Sequence, residues 1–470
     1  MKIGVALLVV LPCALAGCGG DDHDYYPPYP AAGTYATLQV VNASVDAPPL
    51  DVILDGTPFI THLDYGVGTA EQPITPGSHS LVVQIETPGA PTTVIGPTTL
   101  DAAANMDYVV AVEGFVGTLQ APGLSLLTTS HELAVVPSQS TRVQVLNAYS
   151  SPIVVYVSAA GAPFSSATPI GTAAPGGSVG PFTASSGELW LADPVSPFGP
   201  TGPITLEGGA DLIYSVLTPV QIPGVVIYEP CCQYTVSIVD ALGENSWLYP
   251  FTALRVINDS PNAPALAVTS NNGQVAGPVV ASVAFGASTS YLGIPNPFAP
   301  PGPGINSYDL AITPASNLND VLASQNVNLR GGEYTGYSLY ALGPLAQIFP
   351  FITRDDYRSY STQARLRFIQ GSPSAQVVDV YLTASGAGIE SVAPTYPAMS
   401  FATDTGFVSY LQGSYDLTVT TAGTKTPIIG PVPVTLENGG VYTAAARDAP
   451  GGGAPYGLIK LDNLLNPLPY

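Results

Sequence analysis

Positive charge is what this sequence has least of. Lysine and arginine number 11 in 470 residues against 33 Asp and Glu, and charged residues make up 9% of the chain, far below the roughly 25% of ordinary globular proteins. Neutralising phosphates needs clustered Lys and Arg, so a net charge of -22 excludes a nucleic-acid partner. The acidity reads instead as the solubility of an exported surface. Cysteine is scarcer still, four in all, which excludes a disulfide-stapled scaffold. Histidine occurs only at 23, 62, 79 and 131. No two of these have H-x-x-x-H spacing, no Asp-rich calcium loop is present, and no Gly-x-x-x-x-Gly-Lys cradle for phosphate occurs. No metal or cofactor is expected. A sustained apolar period of 3.6 is missing too, so helix should be scarce.

What is present is glycine, 49 residues, and proline, 48, punctuating β-rich runs. That composition describes many short strands joined by tight turns, with Tyr, Thr, Ser and Asn replacing charge on outer faces. The N-terminus has a different character. Lys2, the apolar Ile3 to Leu11 and the small residues before Cys18 form a secretory signal, and 3 to 18 is too short to span a bilayer. Leu15-Ala16-Gly17-Cys18 resembles the bacterial lipobox, which implies a signal peptide over 1–17 and lipidation of Cys18. Gly19, where an Asp would favour inner-membrane retention in a Gram-negative cell, points to the outer membrane. Residues 18–34, rich in Asp, Pro and Tyr, read as a tether. Asp21, Asp22, His23 and Asp24 lack the preorganisation that a metal site needs.

One stretch organises the rest. Leu254-Arg-Val-Ile-Asn258-Asp-Ser-Pro-Asn-Ala-Pro264-Ala-Leu-Ala-Val268 is a strand, a turn and a second strand. Leu254 and Val256 alternate with an outward Arg255 in the manner of a half-buried strand, and two prolines stop helix and ladder alike in the turn. Variants begin at Leu38, Val143 and Leu366. The matching polar residues Asn42, Asn147, Asn258 and Gln370 lie 105, 111 and 112 residues apart, the size of one small domain. Repeats are therefore expected over 35–138, 139–250, 251–361 and 362–470. About seven strand-like runs per repeat predict an all-β chain of four tandem immunoglobulin-like antiparallel β-sandwiches, each closing its own core.

Arg255-Val-Ile-Asn-Asp-Ser-Pro-Asn-Ala-Pro and Leu38-Gln-Val-Val-Asn-Ala-Ser-Val-Asp-Ala-Pro resemble the opening of the domain of unknown function 4397, a β-rich module of exported bacterial proteins. Phe285-Gly286, Ser307-Tyr-Asp-Leu310, Ser414-Tyr-Asp-Leu417, Leu329-Arg-Gly-Gly-Glu-Tyr334 and Leu436-Glu-Asn-Gly-Gly-Val-Tyr442 agree. The resemblance implies a fold and an exported location, but no activity and no catalytic residues.

Candidate chemistry is thin. Cys231 and Cys232 are adjacent, and a bond between them would be strained at the 3.8 Å spacing of neighbouring Cα atoms. A redox pair stands beside the default of two unpaired thiols. Gly176-Gly-Ser178-Val-Gly180 has the letters of a serine-hydrolase elbow, but no helix signal follows it. His79, beside Leu81, is expected to face solvent, and Asp51 and Asp379 to mark an outer polar face. Tyr25, Tyr26 and Tyr29 of the tether, with Tyr334, Tyr337, Tyr340, Tyr357 and Tyr360, can stack on sugars or pack; at least one of the trio spaced by three should be core. The expectation is a non-catalytic envelope or surface module for adhesion or scaffolding. It is anchored by its lipid and has a glycan or protein partner. A carbohydrate- or cell-wall-binding protein is the alternative and a serine hydrolase the second, while oligomeric state stays open.

Overall fold

A computed structural model of the chain describes residues 34–117, 122–185, 187–196, 199–220, 234–248, 251–270, 278–295, 305–330 and 335–463. Every long element is a strand. Among the described residues helix is limited to two short 3-10 turns, Phe164–Ser166 and Leu345–Gln347, as the missing 3.6 period implied.

The first repeat contains β1 (Ala36–Asn42), β2 (Leu50–Leu54), β3 (Thr57–Leu63), β4 (Gln72–Ile74), β5 (Gly77–Ile85), β6 (Thr92–Ala102), β7 (Met106–Glu113) and β8 (Ser125–Glu132). One sheet has the order β4-β1-β7-β8 and the other β3-β2-β5-β6. The proline-bearing turn after β1 carries the chain into the opposite sheet, so β1 and β2 cannot form a hairpin and β1 is left to pair with later strands. Its neighbours are β4 and, in parallel register, β7. The sandwich is thus the expected class, with two refinements. One pair in each repeat is parallel, and the strand order is not that of immunoglobulin domains. The other repeats keep the arrangement, pairing Ser140–Asn147, Phe251–Asp259 and Ala364–Gln370 in parallel with Asp211–Leu217, Thr335–Leu342 and Val441–Arg447. The second repeat adds an edge strand, Asn245–Leu248.

All sheet partners among the described strands fall within 36–132, 140–248, 251–356 or 364–463, and each group encloses its own apolar cluster. Leu254, Val256, Leu266 and Val268 point inward together, as the alternation predicts.

The signature polar residue explains the turn. Asn258 is fully buried; its Nδ2 donates to Val283 O at 3.0 Å and Pro264 O at 3.3 Å, while its Oδ1 accepts from Ser260 N at 3.1 Å. Asn42 and Asn147 repeat the pattern with Leu63 O and Ala173 O. Gln370 stays within its own turn, where its Nε2 donates to Gln376 O at 2.9 Å and to Ser372 O at 3.3 Å. In all four copies one amide side chain closes the turn, and in the first three it also ties the turn to the facing strand, satisfying backbone groups that no ladder reaches.

The expectation of half-buried strands and separate beads needs correction. All seven residues of β1 are buried, because its outer face meets another repeat. Val41, Val109 and Ala111 pack on Leu146, Ile213 and Val239, and Ile257, Tyr340 and Leu342 on Ile369, Ala445, Ile459 and Leu461. Sandwiches one and two, and three and four, are stacked in pairs. A third cluster, with Val45 and Tyr65 of the first, Leu217 of the second and Ala253, Tyr291 and Tyr357 of the third, joins the pairs. Gly66 at φ +70 shows how closely they meet: a Cβ there would lie 1.6 Å from the Trp247 ring of the second sandwich.

Candidate functional site

The junction of all four sandwiches holds the chain's main concentration of basic side chains. It is a cleft of about 450 Å³. The loop after β3 supplies Asp64 and Tyr65, the edge strand Asn245–Leu248 supplies Trp247, and the strand Phe349–Asp356 supplies Arg354 and Asp356. Arg358 and Tyr360 come from the connection that follows, and Arg365, Arg367 and Phe407 from the fourth sandwich. Four of the eight arginines in the sequence thus line one cleft. The spacing within Ala364–Gln370 explains part of this. Arg365 and Arg367 are two apart, so both leave the strand on the side opposite Leu366 and Phe368, which enter the core.

Arg358, Arg365 and Arg367 are each about 3% exposed, and burying a guanidinium needs partners. Arg365 Nη1 donates to Asp356 Oδ2 at 2.8 Å, Arg367 Nη1 to Asp355 Oδ1 at 2.5 Å, and Arg358 Nη2 to Asp64 and, at 2.6 Å, to the Tyr360 hydroxyl. Burial opposes ionisation of Asp356, but Arg365 and Arg358 overcome it and hold this carboxyl well below the usual range. Asp355 is wholly buried and accepts from the hydroxyls of Tyr291 and Tyr357, each at 2.7 Å. Aromatic faces cover the cations. Arg365 sits 4.2 Å from the Tyr360 ring centre and Arg367 4.0 Å from that of Phe407. Chemically the cleft can bind and orient an anion.

A second cluster lies between sandwiches one and two. Arg142 Nη1 donates to Asp211 at 2.5 Å and to His131 Nε2 at 3.0 Å, and His131 Nδ1 stands 3.6 Å from Asp107. Burial, with repulsion from Asp107 and Asp211, pushes the Glu71 carboxyl up to about 8, and burial raises Asp107 as well. Glu71 therefore carries a proton near neutrality.

The residues singled out from sequence fare unevenly. Cys18, His23, Tyr25, Tyr26, Tyr29, Cys231, Cys232 and Tyr334 lie outside the described residues. Ser178 sits within the strand Gly177–Ser185, opposite Leu146, instead of on a turn into a helix. His79 is buried, contrary to expectation. It is two residues from Leu81 and so shares its inward face, where its ring meets Asp55 and Thr75 O, both at 2.6 Å. Asp51 and Asp379 are more than an outer polar face. Each accepts the amide of a residue with left-handed φ on the neighbouring strand, His62 and Ala398. Tyr337 belongs to the third core, and Tyr340, Tyr357 and Tyr360 are buried between sandwiches. The arginine cleft escaped the sequence reading, though the basic residues bunched over 354–367 in so acidic a chain were a usable signal.

Two stretches of the chain, 36–156 and 252–381, match the domain of unknown function 4397. Together they cover more than half of the sequence, and the chain belongs to that family. Each match takes in one sandwich and the opening strands of the next. No curated protein matches. A solved structure, the Bacillus anthracis TIE protein, is similar at 11% identity over 89% of this chain and 68% of its own, with a TM-score of 0.14. A likeness that slight carries no argument.

Proposed function

We propose that the chain is an exported lipoprotein of the bacterial envelope, tethered through Cys18, in which four sandwiches serve as a non-catalytic scaffold or adhesion module. The observation that carries this reading is the use of both faces of the first strand in each sandwich. One face fills the core and the other cements a neighbour, which yields a stiff body of the kind that presents loops at a fixed geometry. The lipobox-like Leu15-Ala16-Gly17-Cys18 and the following Gly19 support anchoring at the outer membrane. The alternative, a carbohydrate- or cell-wall-binding role, called for an exposed aromatic strip, and burial of Tyr337, Tyr340, Tyr357 and Tyr360 weighs against that form of it.

Expression of the full chain in a Gram-negative cell tests the anchor. The mature N-terminal peptide should carry acyl chains on Cys18 by mass spectrometry, and Cys18→Ser should move the protein from the membrane to the soluble fraction. Unmodified Cys18 with unchanged fractionation would refute the anchoring. Retention on purified cell wall in a pull-down, without retention of envelope proteins, would favour the alternative.

A further inference from the structure

We propose that the arginine-lined cleft is a binding site for a small oxyanion, a carboxylate or a phosphate group. Three guanidinium donors here lack a hydrogen-bond acceptor among the described residues of the protein. They are Arg358 Nη1, Arg365 Nε and Arg367 Nε, on side chains that are about 3% exposed; Arg367 Nε has Asp404 at 3.7 Å, beyond hydrogen-bond reach. A guanidinium directs its N–H bonds in its own plane. The Tyr360 and Phe407 rings lie against the guanidinium carbons of Arg365 and Arg367 and offer no lone pair to these N–H groups. A buried cationic donor without an acceptor is costly, and an acceptor that reaches it removes the cost. All three belong to side chains that line one cleft, and together they describe a site suited to an acceptor that comes from outside.

The local charge agrees. Four arginines line the cleft against Asp64 and Asp356, in a chain whose net charge is -22. Asp356 is already shared between Arg358 and Arg365, and Asp355 lies behind Arg367, fully buried. Planar forked donors match carboxylate and phosphate oxygens alike. The site also depends on assembly, since Asp64 and Arg358, which meet there, are 294 residues apart.

The test is isothermal titration of the full chain with sodium phosphate, sodium glucuronate and, as a neutral control, methyl glucoside. Saturable binding of phosphate alone assigns a phosphate-bearing ligand and of glucuronate alone a carboxylate-bearing one; binding of both assigns the shared oxyanion chemistry, and each result supports the site. Arg358→Lys, which keeps charge but loses the fork, should weaken binding at least ~10-fold, the loss of about one charge-assisted hydrogen bond. Arg354→Gln, at an exposed lining residue, should weaken it several-fold and decides the matter if Arg358→Lys melts early. Asp64→Asn should tighten binding. Absence of binding by both anions, equal heat from methyl glucoside, or affinity unmoved by Arg354→Gln and Asp64→Asn would overturn the proposal.

Discussion

Asn258→Ala is the sharpest probe of how this fold is written in its sequence. The side chain is fully buried and makes three hydrogen bonds, to Val283 O, Pro264 O and Ser260 N. Removing it strands a buried amide and deprives two carbonyls at once. At about 1 kcal/mol per bond, and more for an orphaned donor, the expected loss is roughly 2–4 kcal/mol. Asn258→Asp separates the two halves of the effect. It keeps the acceptor for Ser260 N but turns a carboxylate oxygen toward two carbonyls. Burial and that repulsion should raise the pKa of the introduced carboxyl. A raised folded-state value means that its stability is present below the ordinary carboxyl value and is lost as pH rises. The Asp variant should accordingly fall below the Ala variant at pH 7 and regain ground near pH 4. Calorimetric unfolding of the full chain reads the totals, and hydrogen exchange at the Ser260 amide reads the local loss. A cost under about 0.5 kcal/mol, the level of an ordinary surface change, would show that the turn does not depend on this residue and would refute the reasoning for Asn42 and Asn147 too.

Other consequences are as direct. Gly66→Ala places a methyl group inside the Trp247 ring at a residue with φ +70; the first and second sandwiches should part locally, with a loss of ~2 kcal/mol or more and a red-shifted Trp247 emission, and an unchanged melting point would contradict that packing. Glu71, with its carboxyl at about 8, contributes fully below the ordinary carboxyl value, and its contribution is lost as pH climbs toward 8. The melting temperature should therefore decline over that interval, and Glu71→Gln should flatten the slope; parallel slopes in both proteins would count against the assignment. Asp259 is fully buried with neither oxygen hydrogen-bonded, and burial and Asp448 push its carboxyl well upward. Asp259→Asn should leave stability unchanged at pH 4 and raise it at pH 8, as followed by urea unfolding, since only the native carboxyl must ionise or stay protonated against the solvent.

Much of the architecture is local and so was open to reading. Alternation of Leu254, Arg255 and Val256 sets which side chains face the core, and the prolines after Asn258 force the change of sheet, because both act within a few residues. Recurrence of that stretch at Asn42, Asn147 and Gln370 then implies four like-shaped units. His79 shows the same rule misapplied, since counting two from Leu81 places it inward, where it is found.

The second face of each sheet is another matter. A period of two says that Val41, Leu146, Ile257 and Ile369 point away from their own cores, but not what meets them. Only the stacked arrangement decides that, through contacts between residues about a hundred positions apart. An apolar residue on the outward phase just before the signature amide in all four copies was the one local hint. The arginine cleft depends on tertiary structure further still: Asp64, Trp247, Arg358 and Arg367 come from four different parts of the chain, and sequence spacing carries no information about distances set by how whole domains pack.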